Sequence, residues 1–280
     1  MKKNEKGITL IALVVTITVM LILTMTISMS MKSTTELKKY NDVKEDIIKL
    51  SETVKLYYLE NAELPVVKNA NGTYDNSKTY NLNDYNVPTK DRNPNDIGKY
   101  YFIDIALLTD VELNNGEGNK SYNYTTDDIY VVNEKSLTIY YLRGALLDDK
   151  RHYTIVDDFA GGAYAEDYYS KAELPIISVV TMESNGINKS LAGIGDTITL
   201  KVLSNYTFTQ EPTVTINGQN VTVTWNNNIG TATYTIPDTY DTSLYGTKIP
   251  INISSYSADG RTGSTITDVT FGQGVYSYEK

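Results

Sequence analysis

The most regular feature of the sequence is a long helical pattern near its beginning. An uncharged and largely apolar run extends from Ile8 to Ile27. Neither Gly nor Pro occurs between Lys32 and Asn61, so no strong helix-breaking residue interrupts this stretch. We therefore predict one continuous helix from Ile8 to about Asn61, which would be about 80 Å long at about 1.5 Å per residue.

The second half of this helix is predicted to be amphipathic, because apolar side chains recur there at three- and four-residue steps. The first half is long enough to lie in a membrane, since about 20 apolar residues span a bilayer. The predicted buried face of the second half carries Leu37, Tyr40, Lys44 (through its stem), Ile47, Ile48, Ser51, Val54 and Tyr58, and charged residues at the remaining positions include Glu36, Lys38, Lys39, Asp42, Glu45, Asp46 and Glu52.

Short β-type runs follow the helix. The segment from Leu64 to Asp96 is rich in Asn, Asp and Tyr with little periodicity, and we predict a loop there. Tyr100–Leu108 is a short apolar element for which helix and strand both stay open. Asp128–Val132 and Leu137–Leu142 are joined by a polar turn and predict a β-hairpin.

The chain beyond Leu174 has an all-β pattern with a candidate boundary at Pro175. Short alternating runs separated by turn residues over about 100 residues are typical of an immunoglobulin-like (Ig-like) sandwich. The runs are Ile176–Met182, Thr197–Leu203, Thr213–Ile216, Val221–Trp225, Thr231–Ile236, Ile249–Ile253 and Thr265–Phe271. The segments Leu191–Leu200, Pro212–Gly218 and Ala258–Gly263, in this order, resemble Ig-like modules of bacterial surface proteins.

These patterns together predict an α+β fold class. A long amino-terminal helix, half in the membrane and half amphipathic, would pack on a small antiparallel sheet, and an all-β Ig-like sandwich would follow. The predicted domains are a leader at 1–7, the membrane half of the helix at 8–30, a head at 31–173 and the sandwich at 174–280.

The start of the apolar run carries a family resemblance. A short basic leader ends at Gly7, and Ile8 begins the run with no spacer between them. This junction resembles the processing site of type IV pilins and type II secretion pseudopilins of the Gram-positive, clostridial type. The resemblance implies that a prepilin peptidase cuts between Gly7 and Ile8 and methylates the new amino terminus. It also implies that the helix beginning with Thr9, Leu10, Ile11, Ala12 and Leu13 packs in a filament core.

Other interpretations of the same segment stay open. A secretory signal peptide could end at Ser28-Met29-Ser30, but its apolar region usually has about 7–15 residues, and this run is longer. A plain membrane anchor would not need Gly directly before the run. A buried helix of a soluble protein is disfavoured by so long an uncharged stretch.

Ala12 departs from the family pattern. Pilins that form a filament shaft usually carry Glu at the fifth mature position, where it faces the charged amino terminus of a neighbouring subunit. Here that position is Ala12, and an unpaired ammonium in an apolar environment is costly. The departure favours a minor or tip subunit over a major one. The alternative is that Thr9 or backbone groups solvate the ammonium.

Charge sets the predicted orientation and excludes some partners. Lys2, Lys3 and Lys6 precede the apolar run and keep the amino terminus cytoplasmic, so the rest of the chain would be extracellular. The net charge of −9 disfavours nucleic acid, which binds basic surfaces. The chain has no Cys, which excludes disulfides and thiolate metal sites.

No pattern for catalysis or metal binding emerges, so we predict no enzyme activity, no cofactor and no metal site. The single His, His152, is predicted to lie exposed in a loop. The acidic pairs Asp127-Asp128, Asp148-Asp149 and Asp157-Asp158 do not match an EF-hand loop and are predicted to be solvated turns. Trp225 is predicted to pack in the sandwich. The 24 Tyr residues favour strand faces, with a ligand-binding face as the alternative.

The predicted function follows from the resemblance. The chain would be a minor type IV pilin-like or pseudopilin-like subunit that displays an Ig-like module at the cell surface for adhesion, or as a filament tip or spacer. Its partners would be prepilin peptidase, other pilin or pseudopilin subunits, membrane lipid and a host or surface ligand. The alternatives are a monomeric membrane-anchored adhesin and a pseudopilin of a protein secretion system.

Overall fold

The computed structural model describes residues 6–156, 163–164 and 175–279, with side chains at 34–155 and 175–279. Contacts divide the chain into two compact units. The first comprises Met1–Ser51 and Val66–Ser170, and the second comprises Glu52–Pro65 and Lys171–Lys280. The helix α1, Lys6–Asn61, contributes residues to both units.

The first unit contains short strands and one further α-helix. Four strands form an antiparallel sheet in chain order, and the remaining four pair as two hairpins, β5 with β6 and β7 with β8. The strands are β1 (Thr79–Tyr80), β2 (Tyr100–Phe102), β3 (Tyr130–Asn133), β4 (Ile139–Tyr141), β5 (Ala145–Leu147), β6 (Lys150–His152), β7 (Ile155–Val156) and β8 (Ala163–Tyr164), and α2 is Glu117–Ser121. Part of the core is built from Leu82, Val87, Phe102, Ile129, Val131, Tyr140, Leu142 and Tyr153.

The second unit is almost entirely β. Its largest sheets have the orders β15-β16-β11-β9 and β14-β13-β17. The strands are β9 (Ile177–Ser184), β10 (Leu191–Ala192), β11 (Thr197–Ser204), β12 (Phe208–Gln210), β13 (Thr213–Ile216), β14 (Gln219–Val221), β15 (Thr224–Asn226), β16 (Ile229–Thr235), β17 (Ile251–Ser254), β18 (Ser257–Ala258), β19 (Arg261–Thr262) and β20 (Tyr276–Ser277). This arrangement is compatible with the expected β-sandwich.

The core of the second unit comes from alternate residues of its strands. Ile198, Leu200 and Val202 of β11 are buried in one cluster with Ile216 of β13 and Ile253 of β17. The residues between them in β11, such as Thr199 and Lys201, are half-buried. This alternation places one face of each strand in a common core, as a two-sheet arrangement requires.

The predicted α+β class is wrong. In the described part of the chain the elements are mostly strands, distributed over several small sheets, with two α-helices, and they do not show a single long helix packed on one sheet. The last ten residues of α1 belong to the second unit instead. The physical reason is that many strands have only two to four residues, too few to produce the alternating pattern that sequence reasoning detects.

Candidate functional site

The residues predicted from the pilin resemblance lie at the beginning of α1. Gly7, Ile8, Thr9, Leu10, Ile11, Ala12 and Leu13 fall within the bounds of this helix, and their side chains lie outside the described residues. Where side chains are described, at 34–155 and 175–279, no helix has the length and apolar character needed to cross a bilayer.

A polar cluster lies between α1 and the loop before α2. Asp46 of α1 was predicted on the charged face of the helix, but it is only 1% exposed. Its Oδ1 accepts hydrogen bonds from the backbone N–H of Asn114 at 2.8 Å and from the Asn114 Nδ2 at 3.2 Å. Its Oδ2 accepts from the backbone N–H of Asn115 at 2.9 Å, the Asn115 Nδ2 at 3.0 Å and the Tyr130 hydroxyl at 2.8 Å. Both carboxylate oxygens are thus saturated with donors, which compensates the cost of burying the charge.

Lys39 completes this arrangement, which we call the Asp46 cluster: Lys39, Asp46, Asn115 and Tyr130. The Lys39 Nζ donates to the Asn115 Oδ1 and lies 5.9 Å from the centre of the Tyr141 ring. Lys39 and Asp46 are seven residues apart, so two turns of helix place them on the same face. Burial, together with the neighbouring Asp46 carboxylate, raises the pKa of Tyr130 far above its usual range, so its hydroxyl stays protonated as a donor.

Gly116 allows the loop before α2 to lie close to the Tyr130 ring. Gly116 has a φ of 74°, in the left-handed region that glycine adopts readily. A Cβ added there would meet a ring carbon of Tyr130 at 2.7 Å. The Gly116 N–H donates to the Asp128 Oδ1 at 2.8 Å, so the same loop joins two buried carboxylates.

The predicted solvated turn at Asp127-Asp128 holds fixed contacts instead. Asp128 accepts from the Tyr141 hydroxyl at 2.8 Å and pairs with Arg143 at 3.0 Å, and Asp127 pairs with the same guanidinium at 2.7 Å. Burial acts to raise the pKa of Asp128, but the hydrogen bonds from Tyr141 and Gly116 and the charge of Arg143 outweigh it, so this pKa is lowered.

The other acidic pairs differ in their settings. Asp148 and Asp149 form the turn between β5 and β6 with positive φ angles of 50° and 59°. Asp157 and Asp158 lie outside the described residues. Within the parts of the chain whose side chains are described, no three His, Asp or Glu residues are grouped so that they could hold a metal ion.

Tyrosine hydroxyls recur as donors to carboxylates in the first unit. Tyr100 donates to the Asp96 Oδ2 at 3.0 Å, and Tyr140 donates to the same oxygen. Burial raises the pKa of Asp96 although these hydroxyls, with Ser136, act to lower it. Together with Tyr130 on Asp46, these pairs show that several Tyr side chains are internal donors on strand faces.

A cleft of about 240 Å³ is lined by residues of the second unit. At one side the Lys201 Nζ donates to the Leu59 carbonyl at 3.3 Å, and the Tyr58 hydroxyl donates to the Asn228 Oδ1 at 3.2 Å. The end of α1 therefore packs on β11 and the β15–β16 turn. The lining consists of Leu56, Leu59, Glu60, Thr181, Met182, Glu183, Lys189, Ser190, Thr199, Lys201, Phe271, Gly272, Gln273 and Gly274.

Two further predicted residues have packing roles. His152 lies in β6 rather than in a loop, is half-buried, and makes an edge-to-face contact with Tyr40 at 5.3 Å between ring centres. The expectation of an exposed loop histidine is wrong. Trp225 packs on Phe208 at 4.9 Å between ring centres and covers Gly230, where a Cβ would be 2.7 Å from the indole, so the predicted packing role is confirmed.

Sequence reasoning missed the Asp46 cluster. Lys39 and Asp46 were placed among the charged positions of an amphipathic helix, and Asn115 was not singled out. The available pattern was weak: Asp46 follows Val43 by three residues and precedes Leu50 by four, so it lies in the buried stripe that these residues define. No family model, curated protein or solved structure matches this chain.

Proposed function

We propose that this chain is a minor subunit of a type IV pilin-like or pseudopilin-like assembly, processed by prepilin peptidase. The observation that carries the proposal is the junction of a basic leader with Gly7 and Ile8 at the start of an apolar run. The absence of any break in α1 between Lys6 and Asn61 supports it, because a filament-core helix must leave the membrane as one piece.

The apolar half of the helix has two roles in the proposed mechanism, first as a membrane anchor and then as part of the filament core. Before assembly it holds the subunit in the membrane with a cytoplasmic amino terminus and an extracellular carboxyl terminus. On extraction, neighbouring pilin or pseudopilin helices replace the lipid around residues 8–30. The Ig-like module then acts outside the cell as a spacer or as an adhesin for a host or surface ligand.

Ala12 favours a minor position in the assembly. A processed subunit has a charged amino terminus, and burying an ammonium among apolar groups costs several kcal/mol. A neighbouring subunit with a carboxylate at the equivalent position would supply the missing counter-charge. A filament built from this chain alone would lack that charge at every interface.

Amino-terminal mass spectrometry of the membrane-extracted protein tests the proposal. We expect Ile8 as the first residue, with an added methyl group. Gly7→Leu should leave the leader attached, whereas the conservative control Leu13→Ile should be processed normally.

Other starts would contradict the proposal in different ways. An intact leader in the unaltered chain would favour the monomeric membrane-anchored adhesin. A start at Met31 would show cleavage of a secretory signal peptide. With Ile8 confirmed, loss of protein export in a deletion strain that keeps its surface filaments would assign the secretion-system alternative.

A further inference from the structure

The Asp46 cluster brings a lysine amine against a carboxamide beside a buried carboxylate. The Lys39 Nζ contacts the Asn115 Oδ1 directly, so the carboxamide carbon lies one bond beyond the atom that the amine touches. Asn115 is buried and Asp46 is 1% exposed. Lys39 is half-buried, and two side chains that are held in contact have the arrangement that favours reaction between them.

Asp46 fixes the orientation of the amide. The Asn115 Nδ2 donates to the Asp46 Oδ2 at 3.0 Å, which leaves the Oδ1 directed to Lys39. The backbone N–H of Asn115 donates to the same Asp46 oxygen at 2.9 Å, and the Tyr130 hydroxyl does so at 2.8 Å. The carboxylate is therefore held against the nitrogen that would leave if the amine attacked the amide carbon.

We propose that Lys39 and Asn115 form an intramolecular amide crosslink, with Asp46 carrying the protons. This inference is independent of the proposed function, because it concerns only residues of the first unit.

The reaction balances without an external reagent. The Lys39 ammonium gives one proton to Asp46 by way of one water molecule, and the free amine attacks the Asn115 carboxamide carbon. The new N–C bond forms and the bond from that carbon to Nδ2 breaks. Nζ then loses a second proton, and both protons end on the departing nitrogen, which leaves as ammonium. No atom is oxidised or reduced, and general acid–base transfer by a positioned carboxylate is the only catalysis needed.

The crosslink would join α1 to the loop before α2 across a sequence separation of 76 residues. A covalent bond that closes a loop of this length restricts the conformations of the unfolded chain, as a disulfide does. In a chain without Cys it would supply a staple that does not depend on redox conditions.

Peptide mass mapping of the purified full chain tests the proposal. Trypsin should release the peptides Lys39–Lys44 and Tyr100–Lys120 as one species, lighter by about 17 Da than their sum because ammonia is lost. Lys39→Arg should separate the two peptides and abolish the loss, whereas Lys38→Arg, one position away on the exposed side, should leave the crosslink intact.

Asp46→Ala tests the carboxylate, since both reacting side chains remain while the proton carrier is absent. We expect the two peptides to be uncrosslinked. Asp46→Ala also removes the hydrogen bonds that hold the loop before α2. A second variant, Asn115→Ala, keeps Asp46. It should lack the crosslink and still unfold in a cooperative transition.

Two results would overturn the proposal. Separate, unmodified peptides from the folded unaltered chain would show that the contact is only a hydrogen bond. A loss of about 17 Da confined to Tyr100–Lys120, and still present in Lys39→Arg, would show cyclisation of Asn115 onto the Gly116 nitrogen instead.

Discussion

The Tyr130 hydroxyl donates to the Asp46 Oδ2 at 2.8 Å and so connects strand β3 to helix α1 inside the first unit. Both side chains are almost completely buried. The pair joins residues that are 84 positions apart in sequence, and its carboxylate also receives four donors from the loop at Asn114 and Asn115. The buried Asp46 carboxylate of α1 is therefore hydrogen-bonded to both strand β3 and the loop before α2.

Removing the Tyr130 hydroxyl should lower the unfolding free energy of the first unit. Tyr130→Phe leaves Asp46 with one donor fewer in a buried site, and hydrogen bonds to charged groups contribute about 1.5–3 kcal/mol. We expect urea unfolding of the first unit, followed by near-ultraviolet circular dichroism, to show a loss of this size. Tyr122→Phe is the control: its hydroxyl donates to Asp104 at 2.7 Å at an exposed position, and its loss should cost far less. Equal losses would contradict the role of burial.

Gly116→Ala should destabilise the first unit more than a left-handed conformation alone explains. A left-handed backbone costs a non-glycine residue about 1–2 kcal/mol. At Gly116 the added Cβ would also approach the Tyr130 ring to 2.7 Å. Gly72→Ala is the matched control, because its φ is 81° and the added Cβ meets nothing within 4 Å. Similar unfolding midpoints for the two variants in thermal melts would show that the loop adjusts without cost.

The lowered pKa of Asp128 predicts that acid destabilises the first unit. Its pKa is lowered in the folded protein, so the folded state binds the proton more weakly than the unfolded state does. The stability that Asp128 contributes is present above the unfolded value of about 3.9 and is lost as the pH falls through the folded pKa. We expect the unfolding free energy to decrease with falling pH in this window, and less steeply in Asp128→Asn.

Asp127→Asn is the control for this acid effect, since Asp127 pairs with the same Arg143 but is half exposed. Its pH profile should follow that of the unaltered chain. Asp96 acts with the opposite sign, because its raised pKa lowers stability as the pH rises above about 4. A profile in Asp128→Asn that is as steep as that of the unaltered chain would contradict the assignment.

The end of α1 should stabilise the second unit. Leu59 is 3% exposed and belongs to that unit, and truncating a buried Leu to Ala costs about 2–5 kcal/mol. We expect Leu59→Ala to lower the urea midpoint reported by the fluorescence of Trp225, which is the only tryptophan and lies in β15. Leu37→Ala, at a position that is 48% exposed on the same helix, should leave that midpoint unchanged. An unchanged midpoint in Leu59→Ala would show that the sandwich strands are stable without the helix.

Sequence reasoning located the longer elements and failed on the short ones. The predicted runs Ile176–Met182 and Thr197–Leu203 correspond to β9 and β11, which have eight residues each. The segment from Leu64 to Asp96 was predicted as a loop, yet it contains β1 and several 3₁₀ turns. Thr265–Phe271 was predicted as a strand but contributes only a single bridge, from Ile266 to Ile253. A two-residue strand such as β1 is defined by its partner strand, which no local pattern contains.

The sequence by itself determined the helical stretch that ends at Asn61, because the absence of Gly and Pro leaves an unbroken hydrogen-bonded backbone. It also determined the turn at Asn217-Gly218, where positive φ angles suit those two residue types. It placed Tyr40, Ile47 and Val54 on the buried face of α1, and all three are buried. Only the tertiary structure decided the exceptions on this helix: Leu37 is exposed, whereas Asp46 lies inside. A charged residue is predicted to be exposed unless donors are known to surround it, and those at Asn114, Asn115 and Tyr130 come from 68 or more positions away along the chain.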